Sequence, residues 1–481
     1  MKPFSSKKNR QRRPIRALLV FLLIIISVYY LMSGVFIFFV HQPNELNSPA
    51  PDPQRFYGDD VGPDKAVIIE DRALSAVTRI NLIENAHSSL KIAYYAVHDG
   101  LAADIFYASI LEAADRGVEV ELLFDGIFHN LKGRQRATYW ALTAHPNISV
   151  RFYEPLNLFK PWTINNRLHD KLIIVDGTYT LLGGRNIGDK YYLENYHREV
   201  VEDRDVLVVK DQTMPTQASV SDDFNAYFSS LWNHQYTKER GSSVSRHRLK
   251  RAAEATQALL ETLTQIRIKS PERFNQKIDW QAVAQPTRKI TLITNPIERL
   301  NKNPVILKEL IAIANYAEES ILLQSPYVIP TRQMNRHRTF KPLQASVEIL
   351  TNSPAASPNY FAVSGYLNNR KTLADESTTL FEYHGPGSIH AKSYLFDDRL
   401  SVIGSFNIDG RSSFLSTESM VVIDSVEVAE SLKESLKNLQ HQSIPYQSTG
   451  ESKVTYREIS WTKKVIIKLN RILLYPFGIF L

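Results

Sequence analysis

Cysteine is absent from this chain of 481 residues. No disulfide, thiolate metal site, catalytic thiol or lipidated cysteine is therefore possible. The chain also lacks the biased compositions of disordered, collagen-like and disulfide-scaffold proteins, because it is 43% hydrophobic, 10% aromatic and 22% charged. Its length suffices for two or three domains with a large buried core.

Acidic residues are missing from the start of the chain, where the first is Glu45. Seven of the 57 basic residues precede residue 17, and the 50 that remain balance the 50 acidic residues. Residues 17–40 follow without a charged side chain and are long enough to cross a bilayer as a helix. We therefore predict a basic cytoplasmic tail over 1–16, an uncleaved transmembrane anchor over 17–40 and a stalk over 41–65. The positive-inside rule places the rest of the chain outside the membrane of a bacterial cell.

The C-terminal end is basic as well, since residues 461–481 contain four basic residues and no acid. Lys464, Lys468 and Arg471 recur at helical spacing, so they share one face of a predicted amphipathic helix. Such a helix suits an anionic membrane surface or the surface of its own domain, and we favour the membrane. Residues 17–460 carry 46 basic and 50 acidic residues, which disfavours nucleic acid as a partner.

Helix and strand patterns alternate along both halves of the chain. In the first half they predict helices at 71–87 and 101–117 and strands at 89–97 and 118–126. In the second half they predict a helix at 305–320 and strands at 321–330 and 346–353. This alternation predicts an α/β fold with mixed β-sheets flanked by helices. We divide the chain into a first lobe, a helical connection, a second lobe and a C-terminal segment, at 66–235, 236–290, 291–440 and 441–481.

A short motif occurs once in each lobe, with the pattern H-x-K-x-x-x-x-D. It comprises His169, Lys171 and Asp176 in the first lobe, and His390, Lys392 and Asp397 in the second. Small residues and an asparagine follow 14, 15 and 17 positions after each histidine: Gly183, Gly184 and Asn186, then Gly404, Ser405 and Asn407. The matching offsets show that the two lobes repeat one structural unit.

The residue types in this repeat suit a phosphate site. On a strand, the histidine and the lysine lie two residues apart and point to the same face. An imidazole, an ammonium and an amide can all bind phosphoryl oxygens, and glycines carry no Cβ that would hold those oxygens away. Neither lobe has carboxylates or further histidines at metal-ligand spacing, so we predict no metal and no other cofactor.

The two motifs with their trailing G-[GS]-x-N resemble the phospholipase D superfamily. Segments 165–192, 350–357, 364–366 and 388–413 resemble its bacterial cardiolipin synthase branch, and the resemblance extends over about residues 66–440. It implies two pseudo-symmetric phospholipase D-type lobes around one active site. It also implies that one histidine attacks phosphorus to form a phosphohistidine, while the other protonates the departing alcohol.

The resemblance further implies a role for each residue of the repeat. We assign His169 as nucleophile and His390 as acid, although the pseudo-symmetry leaves the reverse assignment open. The phosphoryl oxygens would be held by Lys171, Lys392, Asn186 and Asn407, with Ser405 as a further donor. Family members orient each histidine with an acid in the next strand, which here points to Asp205 in the first lobe and Glu418 in the second. We expect turn or structural roles for Asp176 and Asp397.

Membrane phospholipids are the substrates that the resemblance implies. The leading hypothesis is a cardiolipin synthase that uses phosphatidylglycerol, with phosphatidylethanolamine as an alternative donor. The aromatic segment 152–162 is predicted to form an apolar lip for acyl chains or a packed loop. A phospholipase D hydrolase and, with less support, an anchored nuclease are the alternatives. The acceptor and the oligomeric state are left open by the sequence.

Overall fold

The computed structural model describes the chain except for residues 1–6, 42–50, 194–195, 197–199, 215–217, 240–244, 275–277, 338–343, 375–376 and 448–453. Parts of the predicted cytoplasmic tail and stalk therefore lie outside the described residues. Helix α1 (Lys7–Leu31) continues through a π-helical turn (Met32–Phe36) into α2 (Ile37–Val40). Within it, Arg16–Val40 is the stretch long and apolar enough to cross a membrane, and it coincides with the predicted anchor.

The first lobe is built on a mixed sheet with the strand order β10-β1-β8-β6-β5-β2-β3-β4-β9. Strands β2, β3 and β4 run parallel, whereas β5, β6 and β8 form antiparallel pairs. Its elements are β1 (Asp64–Ile69), α3 (Arg72–Glu84), β2 (Ser89–Tyr94), α4 (Leu101–Asp115), β3 (Glu119–Asp125), α5 (Arg136–Ala144), β4 (Ile148–Tyr153), β5 (Lys171–Val175), β6 (Tyr179–Gly183), α6 (Asp189–Tyr192), β7 (Val201–Glu202), β8 (Asp205–Lys210), α7 (Val220–Trp232) and β9 (Thr237–Glu239).

The connection between the lobes packs onto the first lobe. It contains α8 (Arg246–Lys269), α9 (Pro271–Phe274), α10 (Trp280–Val283) and β10 (Gln285–Pro286). Helix α8 is 24 residues long and largely exposed, and its buried residues are Ala252, Leu259 and Leu263. Strand β10 pairs with β1, so the connection also extends the first sheet.

The second lobe repeats the arrangement of the main strands of the first, with the strand order β11-β18-β17-β16-β12-β13-β14-β19. Its elements are β11 (Lys289–Thr294), α11 (Val305–Tyr316), β12 (Ser320–Gln324), α12 (Arg332–Asn335), β13 (Ser346–Asn352), α13 (Tyr360–Leu373), β14 (Thr378–Tyr383), β15 (Ser388–Ile389), β16 (Lys392–Phe396), β17 (Leu400–Gly404), α14 (Gly410–Phe414), β18 (Ser419–Asp424), α15 (Val426–Gln440) and β19 (Ser443–Pro445). The α/β fold with two pseudo-symmetric lobes is thereby confirmed.

Most predicted elements are present with shorter bounds. The strand predicted at 321–330 ends at Gln324, because the two prolines that follow cannot donate to a sheet ladder. The helix predicted at 305–320 ends at Tyr316. Leu172 and Leu182 of the first sheet share one buried cluster with Ile403 and Val421 of the second, so the lobes pack through a common core.

The C-terminal helix α16 (Trp461–Leu473) packs on α13. Lys463 and Ile467 are its buried residues, and the Lys463 Nζ donates to the backbone oxygens of Ala355 and Ser357. Trp461 and Ile472 are exposed, at 76% and 72% of their surface. The helix therefore docks on its own domain and still presents apolar side chains outward.

Candidate active site

The two histidines meet where short strand pairings cross between the lobes. Leu168 forms a parallel bridge with Thr417, immediately before His169. In the other direction β15 pairs in parallel with β7, immediately before His390. His169 therefore lies beside the segment that leads into β18 of the second lobe, and His390 lies beside the segment that leads into β8 of the first lobe.

Each histidine is bonded to a carboxylate of the opposite lobe. The His169 Nδ1 lies 2.9 Å from both carboxylate oxygens of Glu418. The His390 Nδ1 lies 2.6 Å from the Asp203 Oδ2. Both carboxylates are fully buried, whereas the two imidazoles remain 15% and 19% exposed. Because Nδ1 faces the carboxylate in both residues, Nε2 is the nitrogen left for a substrate.

The prediction that Asp205 orients a histidine is wrong. The Asp205 carboxylate accepts hydrogen bonds from Arg79, Arg185 and Ser75 and forms a buried ion pair within the first lobe. The register explains the error, since Gly183 pairs with Asp205 and Gly404 pairs with Met420. Two residues earlier along each strand, Asp203 therefore corresponds to Glu418. The sequence alone does not distinguish Asp203 from Asp205, because both lie just before the same apolar run and only the register of the strand selects Asp203.

The two lysines are buried beside the histidines. In each motif the lysine Nζ donates to the backbone oxygen of the histidine two residues before it. Burial lowers the pKa of Lys171 to about 7, although Glu418 opposes the shift. It lowers the pKa of Lys392 to about 8, against the opposing effect of Asp203. A bound phosphate anion would favour the charged form of both lysines and be stabilised by them.

The acids differ in their ionisation. Burial alone would raise the pKa of Asp203, but His390 and Lys392 outweigh it and hold that pKa well below the ordinary value. Burial raises the pKa of Glu418 to about 7 despite Lys171 nearby. Burial and the lysines also lower the pKa of both histidines, to about 3 for His390. In the free site both imidazoles are therefore neutral. The Asp203 carboxylate bonded to His390 is ionised near neutral pH, whereas the Glu418 carboxylate bonded to His169 is more readily protonated.

The glycines of the repeat face other atoms of the protein at close range. The space expected for phosphate oxygens is instead occupied by neighbouring residues. A Cβ on Gly184 would lie 2.2 Å from the Asp203 Oδ1, and one on Gly404 would lie 2.2 Å from the Ser419 backbone oxygen. Gly183 is constrained in the same way by the Arg204 backbone oxygen. At the position equivalent to Gly184, the Ser405 hydroxyl donates to Glu418 over 2.5 Å.

The remaining residues of the repeat divide into two groups. Asn186 and Asn407 are buried near the histidines, and among the described residues neither amide oxygen has a hydrogen-bond partner. Asp176 and Asp397 instead lie in hairpin turns at the far ends of β5 and β16. They accept backbone amide bonds from residues 87–89 and 318–320, as expected of structural groups. The described residues contain no group of three or more His, Cys, Asp or Glu able to hold a metal ion.

The predicted lip lies against the membrane anchor. Its first residues, Phe152 and Tyr153, are buried in β4, whereas Phe159 is 88% exposed. The Tyr29 and Tyr30 hydroxyls of the anchor donate to the backbone oxygens of Phe159 and Leu158, each over 2.7 Å. The segment therefore forms an exposed apolar loop held by the anchor.

Arg167 connects this loop to the segment that carries His169. It is buried two residues before His169 and donates to the backbone oxygens of Glu154 and Thr163. The Asp125 carboxylate accepts a further bond from it. Its role is visible only in the structure, because its partners are backbone atoms of a loop without regular periodicity.

The family model for the cardiolipin synthase, phospholipase D-like domain matches residues 80–232 and 310–440. These two segments coincide with the two lobes and contain both histidine motifs. The chain belongs to the cardiolipin synthase-like branch of the phospholipase D superfamily. It is a phosphatidyltransferase of the phospholipase D type that acts on membrane phospholipids, and a membrane-anchored bacterial protein.

Two curated relatives carry related names. Cardiolipin synthase C of Escherichia coli (strain K12) is 28% identical over 394 residues, which cover 75% of this chain and 81% of the relative. Cardiolipin synthase 2 of Staphylococcus epidermidis (strain RP62A) is 25% identical over 361 residues, covering 75% of this chain and 64% of the relative. The crystal structure of phosphatidylserine synthase from Haemophilus influenzae Rd KW20 superposes with a TM-score of 0.59 at 14% identity, covering 87% of this chain and 95% of that one. This last likeness shows a shared fold.

Proposed function

We propose that this phosphatidyltransferase synthesises cardiolipin by joining two molecules of phosphatidylglycerol, with phosphatidylethanolamine as an alternative donor. The observation that carries the proposal is the crossed pair of histidines, each bonded through Nδ1 to a carboxylate of the other lobe. Two such imidazoles beside two buried lysines supply a nucleophile and an acid to one phosphodiester.

In the first step the His169 Nε2 attacks the phosphorus of phosphatidylglycerol. The bond from phosphorus to the glycerol headgroup breaks, and His390 gives its Nε2 proton to the departing oxygen. In the second step a headgroup hydroxyl of another phosphatidylglycerol returns a proton to His390 and attacks the phosphohistidine. The phosphorus–nitrogen bond breaks, so the two steps release glycerol and cardiolipin. Lys171 and Lys392 stabilise the phosphoryl oxygens throughout.

The assignment of the two roles rests on the difference between the acids. An acid that donates from Nε2 while keeping its Nδ1 proton passes through the imidazolium form. The firmly ionised Asp203 stabilises this cation better than Glu418, whose pKa is raised to about 7 by burial. A phosphodiester bound between the histidines raises the pKa of His390 from its low value in the free site. His390 is therefore the acid, and His169 is the nucleophile.

The membrane arrangement supports a lipid substrate. Tyr29 and Tyr30 precede the end of the anchor at Val40 by about three helical turns, or about 15 Å. A loop bonded to these tyrosines would reach into the outer half of the bilayer when the anchor spans it. The seven basic residues before position 17 support an orientation with the N-terminus in the cytoplasm and both lobes on the extracytoplasmic side.

The test is lipid synthesis by the purified full-length protein in liposomes of phosphatidylglycerol, alone or mixed with phosphatidylethanolamine. We expect cardiolipin from the wild type and from His145→Ala, a control in which a histidine paired with Asp115 on the surface is removed. We expect none from His169→Ala or His390→Ala. Phosphatidic acid as the main product would make the protein a hydrolase, and the absence of any lipid product with both donors would refute the proposal.

A further inference from the structure

A large apolar cavity lies in the second lobe, apart from both histidines. Its volume is about 1300 Å³, which exceeds the roughly 300–1,000 Å³ of typical small-ligand pockets. Tyr394, Phe396 and Phe406 form part of its floor, and α11 and α13 contribute two of its walls. Tyr394 and Phe406 have no accessible surface, so the cavity ends on packed side chains of the second lobe's core.

The first lobe fills the corresponding space with its own chain. There α4 joins the parallel strands β2 and β3, and ten of its 15 residues are buried. In the second lobe the corresponding connection joins the parallel strands β12 and β13, and its described part forms the four-residue helix α12, in which Met334 is the buried residue. Among the described residues, the side chains that line this part of the second lobe include Phe38 of the anchor and Ile479 and Leu481 of the C-terminal segment.

The cavity reaches the membrane anchor. Phe38 and Phe39, near the end of the spanning helix, belong to its lining. Their rings contact the C-terminal segment, with Phe38 at 5.3 Å from Phe480 and Phe39 at 6.1 Å from Phe477 between ring centroids. A hydrocarbon chain that leaves the bilayer beside the anchor therefore meets apolar side chains on its way into the cavity.

The opposite end of the cavity approaches the reaction centre. Tyr394 and Phe396 follow Lys392 at two-residue intervals on β16, so they share its face of the sheet. Ile408, which also lines the cavity, directly follows Asn407. The floor thus leads along the strand that carries the second catalytic lysine.

Positive charge lies at the edge of the cavity. Arg332 and Arg336 on and beside α12 line it and are exposed to solvent. Arg332 donates to the Tyr475 hydroxyl, so this basic edge lies on the side of the anchor, where guanidinium groups would meet the anionic headgroups of the membrane surface. A protein partner would gain little from the depth of the interior, whereas a flexible hydrocarbon chain can fill it.

We propose that this cavity binds an acyl chain of a phospholipid substrate and so holds that lipid with its phosphate toward Lys392 and its tail along β16 to the anchor. The proposal rests on the phosphatidyltransferase function and adds a site for the lipid tail to it. It predicts that the enzyme selects substrates by acyl chain as well as by headgroup.

The test is photo-crosslinking in proteoliposomes of full-length protein, with phosphatidylglycerol that carries a diazirine at the end of one acyl chain. We expect labelled peptides from α11, α13 and β16 after digestion and mass spectrometry. The His390→Ala variant should be labelled equally, because tail binding does not require the reaction. Label confined to the anchor and to residues 155–165 would overturn the proposal.

Filling the cavity provides an independent test. Ala314→Trp places a large ring in the wall, and Thr372→Trp places one at an exposed lining position, where folding is not at risk. Each new ring should exclude about two methylene groups of a bound acyl chain. The transferase activity on long-chain phosphatidylglycerol should then fall about tenfold relative to the activity on a short-chain lipid. Ala76→Trp is the matched control, at a half-buried alanine on α3, the counterpart of α11 in the first lobe. Equal chain-length preference in all three variants and the wild type would refute tail binding.

The outcomes separate this site from the proposed function. Cardiolipin synthesis without label in the cavity removes the tail site and leaves the function intact. Label in the cavity without any transferase product removes the function and leaves the lipid site.

Discussion

Replacing Asp203 by asparagine tests the crossed pairing of histidine and acid most directly. The carboxylate lies 2.6 Å from the His390 Nδ1, is fully buried and is held ionised by its neighbours. A hydrogen bond to a charged group contributes about 1.5–3 kcal/mol, so losing it from the imidazolium form should slow the acid-assisted step by about 10- to 150-fold. The nucleophilic step at His169 should be left intact.

The assay compares two donors in single-turnover measurements of phosphohistidine formation. Phosphatidylglycerol releases a poor alkoxide leaving group and needs a proton from His390. Phosphatidyl-p-nitrophenol releases a good leaving group and does not. Asp203→Asn should therefore slow the reaction of phosphatidylglycerol and spare the nitrophenyl donor, whereas Glu418→Gln should slow both donors.

The matched control is Asp205→Asn, two residues along the same strand. Asp205 is buried between Arg79 and Arg185, so this change should lower the melting temperature and affect both donors alike. If Glu418→Gln spared the nitrophenyl donor and Asp203→Asn did not, the roles of the two histidines would be reversed. If neither variant distinguished the donors, the acid-assisted scheme would be refuted.

Three further changes have defined outcomes. Gly184→Ala would place a Cβ 2.2 Å from the Asp203 Oδ1, and we expect loss of transferase activity by tenfold or more at little cost in expression, measured by cardiolipin formation. Lys302 is buried, and among the described residues its Nζ has no hydrogen-bond partner. Burial lowers the pKa of Lys302 to about 7. Lys302→Met should therefore raise the free energy of unfolding by about 2 kcal/mol at pH 6. Because the folded protein binds this proton less tightly than the unfolded chain, wild-type stability rises from pH 7 toward pH 10, and the advantage of the variant in denaturant titrations should shrink over that range. Leu158→Ser with Phe159→Ser should reduce activity on bilayers about tenfold and spare short-chain lipid in micelles, since both side chains are exposed beside the anchor; equal loss on both substrates would contradict a role in lipid access.

Much of the fold could be predicted from local patterns. The equal offsets after His169 and His390 identified the repeat, and the strand predicted at 346–353 is present as Ser346–Asn352. Such predictions succeed because alternation of side chains and helical spacing are local properties of the chain. The choice between Asp203 and Asp205 could not be made in this way, since both lie at the start of one strand and only its register decides which of them reaches a histidine.

The sequence by itself determined the repeat, the apolar anchor and the residue types that suit a phosphate site. Only the tertiary structure decided which acid serves which histidine, because the bonded residues are 249 and 187 positions apart along the chain. Contacts at such separations depend on how two sheets face each other, and no local pattern encodes that arrangement. The cavity of the second lobe is of the same kind, since it exists only where strands, helices and the anchor come together.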